Sequence, residues 1–223
     1  ENSVQENAPF YMQISHYAIH SNLMMRKKTF EKYSKKVKGE IHDNIGLAAM
    51  TEDLDYSIGL IMKKLKELNV EDNTYIIYSS DNGSVPIIVP RRYYEQSYNY
   101  PLSRGKWDAM EGGIRVPFII SGPNIEEYSY NETNISFSDL LPTIIDIISS
   151  KKVKHKSLDG GSFKDLLFGK SKKIKRFTKG LIFHVPYENG IALKRAHSAI
   201  IQDNYKLIKF YDNNELQLFD LRK

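Results

Sequence analysis

One short stretch limits the folds that this chain can adopt, because it joins a buried-strand pattern to an acidic turn. Tyr75–Tyr78 is an apolar, β-favouring run, and it continues directly into Ser79-Ser80-Asp81-Asn82-Gly83. Runs of this kind fill the centre of a covered sheet, and Asn-Gly is a turn signal. The pattern therefore predicts a strand that ends in a turn carrying Asp81 and Asn82.

The position of Asp81 and Asn82 makes them candidate metal ligands. In open α/β sheets, ligands bind just beyond the carboxyl ends of the strands, which is where these two side chains would stand. Both supply hard oxygen atoms of the kind that Ca²⁺ or Mg²⁺ prefers. The alternative is a plain β-turn, since Asp, Asn and Gly are favoured in turns for backbone reasons alone.

A long amphipathic helix is predicted just before this strand. Apolar residues recur at steps of three or four from Leu47 to Leu68, which places them on one face of a helix. Asp43 or Asn44 can cap its start, and Asn69 can end it. A helix that leads into a strand is typical of α/β folds, so the predicted fold class is α/β.

The chain divides into three predicted segments. Residues 1–150 form the α/β body, residues 151–179 a lysine-rich linker with a short helix at Phe163–Phe168, and residues 180–223 a small antiparallel β subdomain. The subdomain is predicted from four short runs separated by tight turns, namely Gly180–Val185, His197–Gln202, Tyr205–Tyr211 and Glu215–Asp220. The body is further predicted to contain strands at Pro9–Ser15 and Val116–Ile120 and a helix at Leu140–Ile148. The segment Leu23–Lys38 is predicted to be a mostly irregular loop with room for one helical turn.

Composition narrows the classes of function. The chain contains no cysteine, which excludes disulfides, thiolate metal sites and a cysteine nucleophile within these 223 residues. No apolar run reaches the roughly 20 residues of a membrane span, and no DNA- or RNA-binding motif is present, so we expect no membrane or nucleic-acid partner. The net charge of +5 comes largely from two clusters, Arg26–Lys38 and Lys151–Arg176. These clusters either attract anionic partners such as sulfated glycans or form an ordinary solvated surface.

Several motifs occur in an order that resembles the sulfatase family. They are Ser-His-Tyr-Ala-Ile-His at 15–20, Asp-Asn-Gly at 81–83, Arg-Gly-Lys at 104–106, Glu-Gly-Gly-Ile-Arg-Val-Pro at 111–117 and Ser-Asp-Leu-Leu-Pro-Thr at 138–143. No single motif is specific, but the ordered set spans nearly the whole chain. The resemblance is to arylsulfatase-like members of the alkaline phosphatase superfamily. It implies part of that superfamily's sandwich, a mixed sheet with helices, followed by the small antiparallel subdomain.

The resemblance also implies roles for individual residues. Asp81 and Asn82 match ligands of one divalent cation, usually Ca²⁺, with Mg²⁺ possible. Lys106 matches the lysine that contacts the sulfate, although the two positions at the start of that motif differ from the family pattern. His20 matches the histidine that contacts the ester near its leaving-group oxygen, and His16 is the weaker candidate.

The chemistry of a sulfate ester gives these roles a reason. Because its negative charge is dispersed, a metal and a lysine at its oxygens stabilise charge as it builds up, and a histidine can protonate the departing alkoxide or phenoxide. Each residue also has a plainer interpretation, Lys106 as a surface lysine and His20 as a hydrogen-bonded loop residue. Glu111 and Arg115 are interpreted as structural groups that pair with or brace the glycine turn. His184 lies in a region that, by the same resemblance, helps to shape the substrate pocket, whereas His42 and His197 are interpreted as incidental.

Two parts of the family pattern do not occur in this chain. Sulfatases use a formylglycine made from the Cys or Ser of a Cys/Ser-x-Pro-x-Arg motif, and an early Asp-Asp pair completes their metal site; neither is found here. The chain therefore resembles the C-terminal portion of a sulfatase, with half of a metal site and no turnover by itself. The expected partners are a sulfated small molecule or glycan and the missing N-terminal half of the same protein. The resemblance favours a periplasmic or secreted location over a cytoplasmic one.

Three functions stay open on the sequence alone. The first is a sulfuric ester hydrolase that acts on aryl or carbohydrate sulfates. The second is a phosphatase or phosphonate hydrolase of the same superfamily, although the Arg-Gly-Lys and Glu-Gly-Gly motifs favour sulfate. The third is a non-catalytic module that binds sulfated glycans through Lys106 and the basic clusters.

Overall fold

The computed structural model describes residues 1–86, 99–149, 158–188 and 195–223. The described helices are α1 (Asn2–Gln5), α2 (Lys27–Ser34), α3 (Ile45–Glu67), α4 (Glu111–Ile114), α5 (Leu140–Ile148) and α6 (Lys164–Leu167). The described strands are β1 (Ile76–Ser79), β2 (Phe118–Ser121), β3 (Leu181–Val185), β4 (His197–Gln202), β5 (Tyr205–Phe210) and β6 (Leu216–Asp220). The predicted α/β class is confirmed, since helices and a two-stranded sheet are followed by a four-stranded antiparallel sheet.

The long predicted helix is present as α3. The side chain of Asn44 caps it by accepting a hydrogen bond from the Leu47 N–H at 2.9 Å. Asn69 follows the helix with a φ of 54°, the left-handed conformation common just beyond a helix end. The buried side chains of α3 are Ala49, Met50 and Leu65. Both ends therefore lie where the capping residues predict.

The prediction of a mostly irregular segment at Leu23–Lys38 is wrong for its central part, which forms α2. This helix is polar, and ion pairs hold it against α3. Arg26 Nε lies 2.7 Å from Asp53 Oδ1, and Lys32 Nζ lies 2.6 Å from Glu52 Oε2. Because these ion pairs join residues far apart in the sequence, they leave no local pattern. The few apolar residues of the segment therefore do not predict the helix.

The strand that carries the acidic turn begins one residue later than predicted. β1 pairs antiparallel with β2, with Ser79 opposite Phe118. Within the described ranges β2 is the only strand paired with β1, and Ile77 is 37% exposed. The interpretation of Tyr75–Tyr78 as the centre of a covered sheet is therefore wrong for the described residues, although the turn follows the strand as predicted.

The predicted strand at Pro9–Ser15 is not observed. The segment has no regular secondary structure, and its side chains alternate poorly between inside and outside, since Tyr11 is 76% and Met12 58% exposed. A strand requires a neighbour for its backbone hydrogen bonds, and no described strand pairs with this segment. The apolar, β-favouring composition of this segment favours an extended backbone, but it does not show whether a neighbouring strand is present to pair with it.

A buried carboxylate joins the body to the segment that follows it. Asp139, which is 0% exposed, accepts hydrogen bonds from the backbone N–H groups of Ser136 and Gly161, each at 2.8 Å. It also forms a two-pronged ion pair with Arg176, at 2.8 Å and 2.6 Å. Residues 158–179 are thus tied to α5, and the short helix predicted there is present as α6. Residues 150–157 lie outside the described ranges, and the three-segment division stays a prediction.

The predicted C-terminal antiparallel sheet is confirmed, with the strand order β3-β4-β5-β6. A two-residue turn, Asp203-Asn204, joins β4 to β5, and Gln202 pairs with Tyr205 across it. One side of the sheet, the inner face, consists of buried side chains that include His197, Ala199, Lys206, Ile208 and Phe210. The other side, the outer face, carries His184, Ser198, Lys209 and a row made of Ile182, Ile200, Leu207 and Leu218.

Among the helices of the described ranges, none combines the length and the apolarity that crossing a bilayer requires.

We expect Asp139→Asn to lower the free energy of unfolding by about 3 kcal/mol, because it leaves the largely buried Arg176 guanidinium without its counter-charge. Urea denaturation followed by circular dichroism measures the change. Asp165→Asn, at an exposed carboxylate of α6, is the matched control and should change this free energy by less than about 0.5 kcal/mol. Equally small effects of the two substitutions would show that Asp139 does not hold the segment to the body.

Candidate active site

Two oxygen atoms of the acidic turn after β1 have no hydrogen-bond donor among the described residues. The backbone N–H of Asn82 donates to Asp81 Oδ1 at 3.0 Å, and the Asn82 Nδ2 donates to the Gly83 carbonyl at 2.9 Å. The Ser80 hydroxyl donates to the Asn82 carbonyl at 2.9 Å and tightens the turn. Asp81 Oδ2 and Asn82 Oδ1 accept no hydrogen bond from the described residues. These two oxygens are therefore available to a cation.

The turn lies backbone to backbone against the glycine-rich segment that contains α4. The Gly83 N–H donates to the Gly113 carbonyl at 2.9 Å. A Cβ added at Gly83 would overlap the carbonyl oxygen of Gly112. Glycine is required at position 83 because only a residue without a side chain permits so close an approach.

The loop that carries Lys106 is attached to the same turn. The Lys106 N–H donates to the Ser84 carbonyl at 2.9 Å. The side chain of Asn99 accepts from the Ser84 N–H at 3.1 Å and donates to the carbonyls of Ser84 and Arg104, both at 2.9 Å. The sequence does not identify Asn99, because an asparagine at the end of an irregular segment carries no pattern. It bridges the acidic turn and the loop that carries Lys106, much as a peptide group would.

The structure brings Lys106 and His20 together. Lys106 Nζ lies 3.3 Å from His20 Nε2. Because a lysine ammonium only donates hydrogen bonds, Nε2 is the acceptor, and the ring proton lies on Nδ1, which contacts the Ser21 carbonyl at 2.7 Å. The Tyr17 hydroxyl donates to the same carbonyl, and its ring lies 5.4 Å from that of His20. The short Tyr17–Ser21 loop thus orients the imidazole toward the lysine.

His184 lies apart from these residues. It is exposed on the outer face of the C-terminal sheet, where its Nδ1 lies 2.7 Å from the Ser198 hydroxyl, which in turn lies 2.8 Å from the Tyr211 hydroxyl. No described contact joins it to His20 or Lys106. Its role in substrate binding stays a prediction.

The acidic turn fits Ca²⁺ in kind but supplies few ligands. Asp81 and Asn82 offer the carboxylate and amide oxygens that this ion prefers, whereas Ca²⁺ takes about six to eight oxygen ligands. Within the described residues, no group of three or more His, Cys, Asp or Glu side chains lies close enough to hold a metal ion. Asp81 and Asn82 can therefore form one side of a site whose other ligands come from elsewhere.

Two family models match the chain. The model described as Sulfatase matches residues 3–150, and the model described as N-sulphoglucosamine sulphohydrolase, C-terminal, matches residues 106–223. The two matches overlap across the Lys106 loop and the glycine-rich segment. Together they include all the candidate site residues.

Named relatives are sulfatases of very different organisms. A sulfatase of Formosa agariphila is 28% identical over 96% of this chain and 40% of its own length. Human steryl-sulfatase is 28% identical over 76% of this chain and 28% of its own length. The Drosophila melanogaster extracellular sulfatase SULF-1 homolog is 31% identical over 56% of this chain and 10% of its own length. The chain thus spans less than half of the length of these relatives.

Solved structures share the fold. Ps i-CgsB in complex with k-i-k-neocarrahexaose matches 99% of this chain and 45% of its own, with a TM-score of 0.78 and 22% identity. BT4656 in complex with D-glucosamine-2-N,6-O-disulfate matches 86% of this chain and 38% of its own, with a TM-score of 0.65 and 23% identity. The phosphonate monoester hydrolase SpPMH of Silicibacter pomeroyi matches 80% of this chain and 34% of its own, with a TM-score of 0.57 and 20% identity. On the strength of the family-model matches, this chain belongs to the sulfatase family.

Proposed function

We propose that this chain is the C-terminal portion of a sulfuric ester hydrolase that cleaves aryl or carbohydrate sulfates. The observation that carries the proposal is the 3.3 Å contact between Lys106 Nζ and His20 Nε2, beside a turn that offers Asp81 and Asn82 as metal ligands. Two groups suited to an anionic ester and two suited to a hard cation are held on adjoining loops. A purely structural arrangement gives no reason for this combination.

In this proposal, Lys106 binds the sulfate and His20 acts at the leaving group. The ammonium of Lys106 stabilises the charge that develops on the sulfate oxygens. The His20 ring, already oriented by the Ser21 carbonyl, delivers a proton to the departing oxygen once it has been protonated at Nε2. Both roles require the substrate to enter between the lysine and the histidine, which replaces their direct contact.

Asp81 and Asn82 are proposed as two ligands of a Ca²⁺ ion. When bound, this ion would withdraw charge from the sulfate oxygens as a Lewis acid. The remaining ligands and the formylglycine nucleophile are proposed to come from residues outside this chain, the N-terminal half of the same protein. On this view the chain alone has no turnover.

The proposed substrate and location rest on likeness to other proteins. BT4656 binds D-glucosamine-2-N,6-O-disulfate, which supports a sulfated sugar as the substrate class. A relative named as an extracellular sulfatase supports a secreted or periplasmic location. A signal-dependent export assay in the source cell tests the location.

A phosphonate monoester hydrolase is the second candidate, favoured by the likeness to SpPMH. Both reactions place a dispersed negative charge against a metal and a lysine. The two are separated by comparing kcat/KM of the full-length protein for a phenyl sulfate and for a phenyl phosphonate monoester. A preference for the phosphonate would replace the sulfatase proposal.

We expect Lys106→Met in the full-length protein to lower kcat/KM for 4-nitrophenyl sulfate by about 100-fold or more, because one preorganised donor to the developing charge is removed. Release of 4-nitrophenol measures the rate. Lys172→Met, at an exposed lysine with no described ion pair, is the control and should leave the rate unchanged. A loss of less than about threefold in Lys106→Met would remove this lysine from the proposed site.

We expect the isolated chain to bind Ca²⁺ with a Kd of about 10⁻⁴ M or weaker, because Asp81 and Asn82 supply too few ligands. Isothermal titration calorimetry measures this affinity, and a micromolar Kd would contradict the prediction. In the full-length protein, Asp81→Asn should raise the Ca²⁺ concentration needed for half-maximal activity. Asp55→Asn, at an exposed carboxylate of α3, is the control that should not raise it.

A further inference from the structure

The segment that follows Lys106 inserts into the inner face of the C-terminal sheet. Ala109 is 0% exposed and packs in one cluster with Ala199, Ile208 and Phe210 of β4 and β5. Only Trp107 and Asp108 separate this buried residue from Lys106. The position of the lysine loop is therefore coupled to a sheet that itself contributes no proposed substrate or metal ligand on that face.

A buried histidine fixes the backbone of this segment. His197 Nε2 accepts a hydrogen bond from the Ala109 N–H at 3.1 Å, and its Nδ1 lies 2.7 Å from the Arg195 carbonyl. Since Nε2 is the acceptor, Nδ1 carries the ring proton and donates to Arg195. His197 is 0% exposed, so water cannot replace either bond. The imidazole thus sets the distance between Ala109 and β4.

A buried lysine fixes the other end of the segment. Lys206 is 1% exposed, and its Nζ lies 3.0 Å from Glu111 Oε1, a partner that the sequence does not predict for Glu111. Burial lowers the pKa of Lys206, while the charges of Glu111 and Asp108 oppose that shift. Asp108 is buried as well, and it accepts from Arg104 Nε at 3.1 Å and from the Met110 N–H at 2.9 Å.

Stability alone does not account for this ion pair. An apolar side chain at position 206 would continue the inner face formed by Ile208 and Phe210. Replacing a buried ion pair by apolar groups of similar volume is often neutral or stabilising, because both charges lose their hydration on burial. What the pair adds is a fixed distance and direction between β5 and the first residue of α4.

We propose that Lys206 and His197 are positioning residues, which hold the 108–111 segment so that Lys106 Nζ stays beside His20. Lys106 then lies between two anchors, the Ser84 carbonyl that accepts from its own N–H and the inner-face contacts of Ala109 and Glu111. The inference rests on the proposed function for its catalytic consequence, but the geometric coupling is independent of it.

The test is carried out on the full-length protein with Lys206→Met/Glu111→Gln. Removing both charges avoids a buried unpaired charge, so Tm should change by less than about 4 °C. The ¹H–¹³C resonances of the His20 ring report its contact with Lys106, and His20→Gln assigns them. Lys106→Met supplies the resonance position of a His20 ring that has lost this contact.

We expect the His20 resonances of the double variant to move toward their positions in Lys106→Met, and kcat/KM for 4-nitrophenyl sulfate to fall about tenfold. Lys209→Met is the matched control, because this lysine lies on the same strand but on the outer face and is exposed. It should change neither the resonances nor the rate.

A second pair of variants covers the case in which the double variant does not fold. His197→Gln keeps an acceptor for the Ala109 N–H, whereas His197→Leu removes it. We expect His197→Leu to shift the His20 resonances and His197→Gln to leave them where they are in the unsubstituted protein.

Unchanged His20 resonances in both Lys206→Met/Glu111→Gln and His197→Leu would overturn the inference, whatever the rate. Shifted resonances in a protein whose unsubstituted form hydrolyses no sulfate ester would leave the positioning role standing and refute the proposed function instead. The two failures are thus distinguishable.

Discussion

Two backbone hydrogen bonds between neighbouring turns hold the candidate site together. Gly83 donates to Gly113, and Lys106 donates to Ser84, each at 2.9 Å. Backbone atoms have less freedom than side chains, so these bonds closely define the separation of the acidic turn from the loop that carries Lys106. The absence of a side chain at Gly83 is a condition for the first bond, because a Cβ there would overlap the Gly112 carbonyl oxygen. The geometry of the candidate site thus depends on a position that has no side chain.

Buried polar groups recur where different parts of the chain meet. Asp139 joins α5 to the segment around Arg176, and Lys206 joins β5 to Glu111. Within the described ranges, no buried side-chain nitrogen or oxygen lacks a hydrogen-bond partner. A buried polar group tolerates little displacement, because a lost partner is not replaced by water. Such contacts therefore specify how the parts sit against one another more than they add to stability.

Local patterns predict much of this fold and part of the site. The three- and four-residue steps of α3 and the short runs and tight turns of β3 to β6 are local patterns, so the sequence alone contains the signal. The wrong predictions concern elements that depend on a distant partner. Ion pairs hold α2 against α3, and the local sequence of α2 does not show them. In the site, motifs predict His20 and Lys106, and the structure places them in contact. Nothing in the sequence marks Asn99 or His197, because their importance comes from the backbone groups that they reach, about ninety positions away for His197.

The length of the two-residue turn Asp203-Asn204 affects the position of the loop that carries Lys106, because it sets the pairing of β4 with β5. Side chains alternate between the two faces of a strand, so a register shift of one residue exchanges the faces. Deleting one residue from this turn would bring the Leu207 side chain inward in place of Lys206 and leave Glu111 facing an alkyl group. The length of a surface hairpin, remote in sequence from Lys106, thereby helps to determine where the Lys106 ammonium lies.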